Sequence, residues 1–410
     1  MNLLLIPASY PHPAAEWAGV NNEHSAVALR PIVEHIEVLS PRPYAPRLLA
    51  FNDRWRGYVA TPKKQVRKGI TVHHPAYPRI PGVLQGFWPT MVAFMFSRRL
   101  ATTLHREIGF DAILSFDLAK AGGLAWRLGR LLGIRACGWA TGGDMRWDAR
   151  TAVGSSVRDT LRHLDLVFYQ SAELKALAAG LLEVSTDALS EAQHVVQARG
   201  IIEPKVLPGE RVRRLIRSQL QLSDHQIVIL YVGRIVRGKG LFDLVDGFSH
   251  WGRKRRDLTL VLVGARPGYD DTPELQSWIE SIPELNERIR ILPGCPPEKI
   301  WGYFSAADIF VFPSFREGMP NSLLEAMVAR LPAVAFGIAA VQEIARFGKG
   351  LVEVPPYDFA AFGEGILSLA AEPSLRREIG ERGRTIAREH FSIQKNMRVI
   401  VDHIRALTAR

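Results

Sequence analysis

The chain has 410 residues, with 52 lysines and arginines against 41 aspartates and glutamates, and a formal net charge of +11. This length exceeds the size at which one hydrophobic core usually keeps growing, so we expect two domains. The sequence has no run of about 18 apolar residues and no secretory signal pattern, which argues against a membrane-spanning or secreted protein and predicts a cytoplasmic one. Cys137 and Cys295 lie far apart and outside any metal-ligand spacing, as is common in a reducing compartment.

Short apolar runs in the first half end in small or turn residues, as buried parallel strands do before a loop. These runs are MNLLLIPAS, HIEVLSP, DAILSF, IRACGWAT and LDLVFYQS. Between them, NNEHSAVALRP, AGGLAWRLGRLLG and SAELKALAAGLLEV repeat apolar residues at helical spacing. The alternation of strand and helix predicts a doubly wound parallel sheet.

Positive charge is concentrated between Pro41 and Leu100, where eleven basic residues accompany one acid, Asp53. The basic residues are Arg42, Arg47, Arg54, Arg56, Lys63, Lys64, Arg67, Lys68, Arg79, Arg98 and Arg99, and the interleaved aromatic residues are Trp55, Tyr58, Phe87, Trp88, Phe94 and Phe96. Surfaces that meet anionic lipid headgroups combine these residue types. We expect an anionic membrane or acceptor here and no nucleic acid, although a nucleic-acid surface would look similar. A solvated basic loop remains an alternative.

The same alternation of apolar runs and helical patterns begins again after residue 205. The second set of apolar runs is IVILYVGR, LTLVLVGA, RIRILPG, DIFVFPS, PAVAFG and GLVEVPP, with helical patterns between them. The sequence therefore predicts a second parallel sheet, followed by a long helical tail.

The loop after IVILYV has the glycine and lysine spacing of a phosphate-binding P-loop, at Gly233, Gly238 and Lys239. Gly240 stands where a P-loop needs the Ser or Thr hydroxyl that ligates Mg²⁺, and this argues against a metal-dependent nucleotide hydrolase. Arg234 and Lys239 could instead neutralise a diphosphate without a metal.

Glu317 and Glu325 form the second candidate motif, in FREGMPNSLLEAM. With Glu317 in a loop and Glu325 about two turns along a helix, the pair would span roughly 12 Å, about the length from a sugar to the ribose of a nucleotide. The N–H groups expected to face the phosphates are those of Gly318, Met319 and Asn321. Glu317 as a helix cap and Glu325 paired with Arg330 remain alternatives.

At these motifs the sequence resembles the family 4 glycosyltransferases, which are retaining enzymes of α/β fold. Their architecture, GT-B, has two facing Rossmann-like domains with a nucleotide-sugar donor in the cleft between them. The resemblance covers residues 226–356, where VGRIVRGKG, AADIFVFPS, EGMPNSLLEAM and GLVEVPP occur in the family's order and spacing.

By this resemblance, Arg234 and Lys239 hold the donor diphosphate. Glu325 binds the ribose hydroxyls, Glu317 binds the transferred sugar, and the backbone at Cys295 lies against the base. Gly233 belongs to the same donor site.

The first half resembles the family more weakly. Gly19 lies in the family's first glycine-rich loop, where the backbone comes close to donor phosphate and acceptor. In ATGGDMRW, Thr141 replaces a histidine that many members carry, and Gly142 and Asp144 follow it. Asp117 stands at another position that is often histidine. A Gly-Gly-Asp turn that merely starts a helix and Asp117 as a helix N-cap remain alternatives.

The resemblance implies transfer of a sugar, with retention, to an acceptor hydroxyl by front-side substitution, with no metal. The expected catalytic residues are Glu317, Arg234, Lys239 and Asp144; Thr141, Gly142 and Asp117 are expected on the acceptor side. The co-substrate is a UDP- or GDP-sugar and no other cofactor is expected.

The acceptor would be a glycan or lipid-linked glycan of a cell-surface polysaccharide or glycolipid, reached from the cytoplasm or the inner membrane face. A sugar epimerase or phosphorylase of the same fold, or a catalytically silent nucleotide-sugar-binding scaffold, remains an alternative.

The segment ARGIIEPKVLPGER has the glycine, proline and charge of a linker. We expect an acceptor-side domain over residues 1–203 and a donor domain over residues 204–385. A carboxy-terminal helix over residues 386–410 is expected to cross back and pack on the first domain.

Overall fold

The computed structural model describes residues 1–12, 18–44, 46, 53–78, 87–266 and 269–409. By its internal packing the chain forms two units, one of Met1–Arg199 with Ile393–Arg410 and one of Gly200–Ser392. In the described part of the chain, no helix combines the length and apolar character that a membrane crossing requires. Of the basic segment, Arg47 and Arg79 lie outside the described residues.

The first unit contains an eight-stranded sheet in the order β10-β9-β8-β7-β1-β2-β5-β4, and a separate β3-β6 pair. The strands are β1 Asn2–Pro7, β2 His35–Leu39, β3 Arg42–Pro43, β4 Lys64–Arg67, β5 Ile70–His73, β6 Ala76–Tyr77, β7 Ala112–Phe116, β8 Arg135–Ala140, β9 Leu166–Tyr169 and β10 His194–Val196. Strand β4 pairs antiparallel with β5, whereas the other pairings are parallel. The strands predicted from the five apolar runs are confirmed as β1, β2, β7, β8 and β9.

Strand β1 lies inside the sheet because its Leu3–Ile6 side chains are fully buried, as a strand covered on both faces requires. The first-unit helices are α1 Val20–Leu29, α2 Asp53–Ala60, α3 Phe87–Ile108, α4 Gly123–Leu132, α5 Ala152–His163 and α6 Ala172–Leu182. Since β1 has β2 on one side and β7 on the other, the strand order reverses beside β1. Ligands of such sheets bind at the carboxyl ends of the strands at this point.

The second unit contains a six-stranded parallel sheet in the order β13-β12-β11-β14-β15-β16. Its strands are β11 Ile227–Val232, β12 Leu258–Ala265, β13 Ile289–Pro293, β14 Ile309–Phe312, β15 Ala333–Phe336 and β16 Val352–Val354, which confirms the six predicted runs. Counted within the unit, the order is third, second, first, fourth, fifth and sixth, that of a dinucleotide-binding Rossmann sheet. Its switch point therefore lies between β11 and β14.

Helices cover this sheet and continue into the carboxy-terminal segment. They are α7 Glu210–Gln219, α8 Leu241–Trp251, α9 Thr272–Glu280, α10 Pro283–Asn286, α11 Pro297–Ala306, α12 Asn321–Val328, α13 Ala339–Ala345, α14 Phe359–Ala371 and α15 Pro373–His390. The helical tail is interrupted after α15, where the Phe391 carbonyl oxygen accepts a 2.9 Å hydrogen bond from the Ile201 N–H. This bond, in a bridge between Ile201 and Ser392, diverts the backbone from the helix.

The last helix, α16 (Ile393–Thr408), packs within the first unit. Its buried residues recur at helical spacing and are Ile393, Asn396, Met397, Ile400, Val401 and Ile404. It contacts α1 and β8, and Arg405 donates a 2.9 Å hydrogen bond to the Ile32 carbonyl oxygen. A separate helix therefore begins at Ile393, seven residues after the start that the sequence suggested.

Candidate active site

Two loops at the carboxyl ends of neighbouring strands form the candidate site of the second unit. The loop after β11 runs through Gly233 and Lys239 to Gly240, and the loop after β14 begins at Pro313. Gly240 has a left-handed φ of 68°, and a β-carbon on it would lie 2.2 Å from the Pro313 carbonyl oxygen. A side chain would clash there, so glycine lets the two loops pack directly against each other.

An ion pair joins these loops. The Lys239 ammonium contacts the Glu317 carboxylate, and each side chain is only 18% exposed. Such a pair persists because separating it would leave a charge unpaired and largely out of water. A role for Glu317 as a mere helix cap is not supported, since Pro320 stands at the N-cap of α12 without a side-chain cap hydrogen bond. The switch point thus holds a cation and a carboxylate side by side.

The backbone of Arg234 is held by its neighbours. The Tyr231 hydroxyl donates a 3.0 Å hydrogen bond to the Arg234 carbonyl oxygen, and the Gly233 N–H donates one of 3.0 Å to Val263. Burial raises the pKa of Tyr231, the Glu317 charge adds to the rise, and the Arg234 charge opposes it. Arg234 and Glu317 therefore act on the same buried hydroxyl.

Glu325 lies on α12 without a hydrogen-bond partner in the described part of the chain. Its side chain is half-buried, and removal from water raises its pKa from 4.5 to about 7. The alternative pairing with Arg330 is not observed, because Arg330 forms an ion pair with Glu381 at 3.1 Å. An unpartnered carboxyl in this position is suited to accept hydrogen bonds from ligand hydroxyls.

Two further polar atoms, one in the loop after β14 and one on the first residue of α12, are buried without a partner in the described part of the chain. They are Ser314 Oγ, which the sequence analysis did not identify, and Asn321 Oδ1. Buried polar atoms are normally paired, so these two indicate groups that a ligand could satisfy. The Asn321 N–H is not available as predicted, because it donates to the Met319 carbonyl oxygen at 3.0 Å. Gly318 and Met319 are buried at this turn.

Cys295 lies apart from this pair of loops, after the edge strand β13. The preceding Gly294 N–H donates a 3.0 Å hydrogen bond to Ala265, the last residue of β12. Burial raises the pKa of the Cys295 thiol, which keeps it in the neutral form. Its backbone, rather than a reactive thiolate, is what it can offer a ligand.

In the first unit, Asp144 holds the loop after β8. Its carboxylate accepts hydrogen bonds from the N–H groups of Thr141 at 2.9 Å, Gly142 at 2.7 Å and Leu118 at 2.9 Å. The Thr141 hydroxyl donates a further bond of 3.2 Å. Burial raises the pKa of Asp144, and the N–H donors oppose the rise. The helix-start interpretation is wrong, because α5 begins only at Ala152.

Asp117 follows β7 in an unusual backbone conformation, with φ at 109°. Its carboxylate accepts hydrogen bonds from the Lys120 N–H at 2.6 Å and the Ala121 N–H at 3.4 Å, which confirms the N-cap interpretation. Burial raises the pKa of Asp117 well above its usual range, and the Asp144 charge adds to the rise. A non-glycine residue at such a φ is strained, and strain of this kind is concentrated at functional sites.

Arg199 is a buried cation that the sequence analysis missed. Its guanidinium lies 5.8 Å from the ring centre of Phe116 and 5.4 Å from that of Trp139, and Nη2 donates to Asn22 Oδ1 at 3.4 Å. Burial lowers the pKa of Arg199 to about 10, and the Asp144 charge opposes the fall. No signal could identify it, since it lies in a linker-like segment and its partners are distant in sequence.

Gly19 ends the loop that follows β1. Its φ is 75°, and a β-carbon would lie 2.2 Å from the Ser9 carbonyl oxygen. The same oxygen accepts a 2.9 Å hydrogen bond from Asn22 Nδ2. Glycine is therefore required for the tight turn into α1.

The structure gathers most predicted residues at two strand ends in the second unit and at three in the first. In the second unit these are Gly233, Arg234, Lys239, Glu317, Gly318, Met319, Asn321 and Glu325, whereas Cys295 lies two strands from β11. In the first unit, Gly19 follows β1, Asp117 follows β7, and Thr141, Gly142 and Asp144 follow β8.

Known glycosyltransferases are similar to this chain in sequence and in fold. Residues 212–386 match the family described as Glycosyl transferases group 1. Over its full length the chain is 25% identical to TuaC of Bacillus subtilis (strain 168), covering 99% of that protein, which is provisionally named as a teichuronic acid biosynthesis glycosyltransferase.

Solved structures share the fold at low sequence identity. Sucrose-phosphate synthase from Thermosynechococcus elongatus has a TM-score of 0.77 at 20% identity, with both chains fully covered. Anabaena HepE in complex with UDP-glucose has a TM-score of 0.73 at 16% identity, covering 99% of this chain and all of HepE.

Glu325→Gln should stabilise the protein more at pH 8 than at pH 5. The unfolded carboxyl regains its ordinary pKa of 4.5, so between that pH and about 7 the folded state holds the extra proton. Stability contributed by the neutral carboxyl is therefore lost as the pH rises through this window, by about 1 to 3 kcal/mol. Glutamine carries no such dependence.

The measurement is the Tm difference between variant and wild type at both pH values, with the exposed Glu364→Gln as control. An equal Tm difference at the two pH values would contradict the raised pKa of Glu325.

Proposed function

We propose that the chain, whose residues 212–386 match the family Glycosyl transferases group 1, transfers a hexose from a UDP- or GDP-sugar to an acceptor hydroxyl with retention. The predicted fold class, α/β with Rossmann-like domains of the GT-B type, is confirmed. The observation that carries the proposal is the Lys239–Glu317 pair at the switch point of the second sheet, with Arg234 on the same loop.

Lys239 and Arg234 bind the donor diphosphate in this proposal. In the free protein Glu317 neutralises Lys239, and an arriving diphosphate supplies a stronger anionic partner. Glu317 is then released to accept hydrogen bonds from hydroxyls of the transferred sugar. The ion pair therefore keeps both side chains in place before the donor binds.

Glu325 binds the ribose hydroxyls and the backbone at Cys295 contacts the base. The unpartnered Glu325 carboxyl supports the first assignment, because ribose hydroxyls would satisfy it. The UDP-glucose in the HepE structure supports a nucleotide-sugar donor for this chain as well.

The chemistry proposed is front-side substitution. Lys239 and Arg234 stabilise the leaving diphosphate as its charge develops, and the diphosphate helps remove the acceptor proton. Asp144 contributes by position, since its oxygens are occupied by N–H and hydroxyl donors of its own loop and of Leu118. It fixes Thr141 and Gly142, which with Asp117 form the acceptor-side wall, and Gly19 shapes the loop beside it.

The proposed acceptor is a glycan or lipid-linked glycan of a cell-surface polysaccharide or glycolipid. The name of TuaC, which refers to teichuronic acid biosynthesis, supports this substrate class. We place the reaction in the cytoplasm, at the inner face of the membrane.

Exposed basic and apolar side chains of the first unit support the membrane association. Lys63, Lys64, Arg98 and Arg99 are exposed, with Met95 and Phe96 about half exposed beside the two arginines. Arg67 and Lys68 are less suited to lipid, because both form ion pairs with the buried Glu23, at 2.7 Å and 3.2 Å.

Arg234→Ala and Lys239→Ala should each weaken UDP binding by about 1.5 to 3 kcal/mol and leave uridine binding nearly unchanged, because both cations address phosphate. Isothermal titration with the two ligands measures the difference. Arg237→Ala is the control, since Arg237 lies on the same loop and pairs with Glu274. Equal losses for UDP and uridine would reject the diphosphate assignment.

Transfer should proceed in EDTA, because cations of the chain do the work of a metal. The assay supplies UDP- and GDP-sugars with lipid-linked glycan acceptors and detects the product by mass spectrometry. A glycoside with retained configuration is the expected product. Activity that disappears in EDTA and returns with Mg²⁺ would contradict metal independence, and an epimerised or phosphorolysed sugar without glycoside would favour the alternative enzyme class.

Liposome flotation should depend on anionic lipid and on Lys63, Lys64, Arg98 and Arg99. Each basic group near an anionic surface contributes about 1 kcal/mol, so changing all four to Gln should abolish flotation at physiological salt. The control changes four exposed basic residues of the second unit to Gln, namely Arg211, Arg256, Lys349 and Arg377. Flotation that ignores lipid charge and the first set of substitutions would indicate a solvated surface.

A further inference from the structure

A second polar cluster lies in the first unit, at the carboxyl ends of β1, β2 and β5. It contains Tyr10 and His12 from the loop after β1, Arg42 of β3 and His74 directly after β5. None of these side chains has a role in the mechanism above. We call them the β1 cluster.

Hydrogen bonds hold the His74 ring in place within the β1 cluster. It is buried, and its Nδ1 contacts the Ser40 carbonyl oxygen at 3.0 Å, so Nδ1 carries the proton. Its Nε2 lies 2.9 Å from Gln65 Nε2, an amide donor that also donates to the Pro11 carbonyl oxygen at 3.0 Å. Because Nε2 accepts, His74 is neutral, and Gln65 ties it to the loop that carries Tyr10 and His12.

His12 has a defined tautomer as well. Its Nδ1 lies 3.1 Å from Thr61 Oγ1, and the Thr61 hydroxyl donates its one proton to the Gly57 carbonyl oxygen at 2.7 Å. Nδ1 must therefore donate to Thr61. His12 Nε2 is left to interact with a ligand, and it becomes a donor when the ring is protonated.

Two more donors are buried without a partner. Arg42 Nη1 donates to the Tyr58 carbonyl oxygen at 2.6 Å, but Arg42 Nε has no partner in the described part of the chain. The Tyr10 hydroxyl, on a side chain that is 2% exposed, has none there either. Burying a donor unpaired costs free energy, so two such groups together indicate a missing acceptor.

The local charge favours an anion as that acceptor. Burial lowers the pKa of His12, and the charges of Arg42 and Arg67 lower it further, which places the three groups in one electrostatic environment. The carboxylate of Glu23, whose charge acts on Tyr10, is already shared by Arg67 and Lys68. Arg42 is thus left without an acidic partner in the described residues.

We propose that the β1 cluster binds an oxyanion of the acceptor, a carboxylate or a phosphate, through Arg42 Nε and the Tyr10 hydroxyl, with His12 Nε2 as a third donor when its ring is protonated. An oxyanion accepts several hydrogen bonds at once and supplies the negative charge that the cluster lacks. Strands β1 and β7 are neighbours, so the subsite lies along the same sheet edge as Asp117. The subsite would make the enzyme selective for acidic acceptors, an assignment that rests on the proposed function.

The test titrates UDP-saturated protein with inorganic phosphate, methyl glucuronide and the neutral methyl glucoside. Saturation with UDP keeps phosphate out of the donor site. Either anion should bind and the glucoside should not, and the preferred anion identifies the acceptor group. Arg42→Gln should weaken anion binding about tenfold, whereas Arg106→Gln, at an exposed arginine of α3, should not.

Tyr10→Phe separates ligand binding from folding. It should weaken anion binding while leaving the Tm of the free protein unchanged or higher, because the hydroxyl it removes has no partner. A lowered Tm with unchanged anion binding would assign Tyr10 to the fold and overturn the proposal. Failure of both anions to bind the wild-type protein would overturn it as well.

The same titrations on the Arg234→Ala, Lys239→Ala double variant keep this test independent of UDP. Failure of the wild-type protein to bind UDP would count against the proposed function. Anion binding by the double variant, abolished by Arg42→Gln, would still support the subsite.

Discussion

Gly240 packs where a β-carbon would lie 2.2 Å from the Pro313 carbonyl oxygen, and the geometry of the second-unit site depends on this approach. It brings the loop after β11 onto the loop after β14, so Lys239 reaches Glu317 although they are 78 residues apart in sequence. The same close approach explains why Gly240 stands where a P-loop has the hydroxyl of Ser or Thr. A residue that must adopt a left-handed φ against a carbonyl cannot be Ser or Thr without strain.

The two units use buried charge in different ways. In the second unit, Lys239 and Glu317 neutralise each other in a pair that a charged ligand can rearrange. In the first unit, Asp144 satisfies its carboxylate within the chain and holds a loop. Arg42 shows the opposite condition, a cation whose buried Nε has no acceptor in the described part of the chain. The groups assigned to ligands are thus an ion pair that can rearrange and an unpartnered donor, whereas the fully paired Asp144 positions its own loop.

Elements and motifs with local signals were predicted correctly. Strands β1, β2, β7, β8 and β9 of the first unit, and the six strands from Ile227 to Val354, are apolar runs that end in turn residues, so burial of each run is encoded locally. The N-cap of Asp117 was recognisable because an aspartate before a helix has a local hydrogen-bonding role. The two-residue strands β3 and β6 carry too few residues to show a period, and the sequence analysis missed them.

The sequence by itself determined the alternation that builds two parallel sheets, the residues at the strand ends and the family they resemble, because these depend on local periodicity and spacing. Only the tertiary structure decided how each group is buried, protonated and hydrogen-bonded. The raised pKa of Glu325, the burial of Arg199 against Phe116 and Trp139, and the unpartnered donors of the β1 cluster arise from neighbours far away in the chain. Desolvation and hydrogen-bond satisfaction depend on every atom packed around a group, and no spacing in the sequence records that packing.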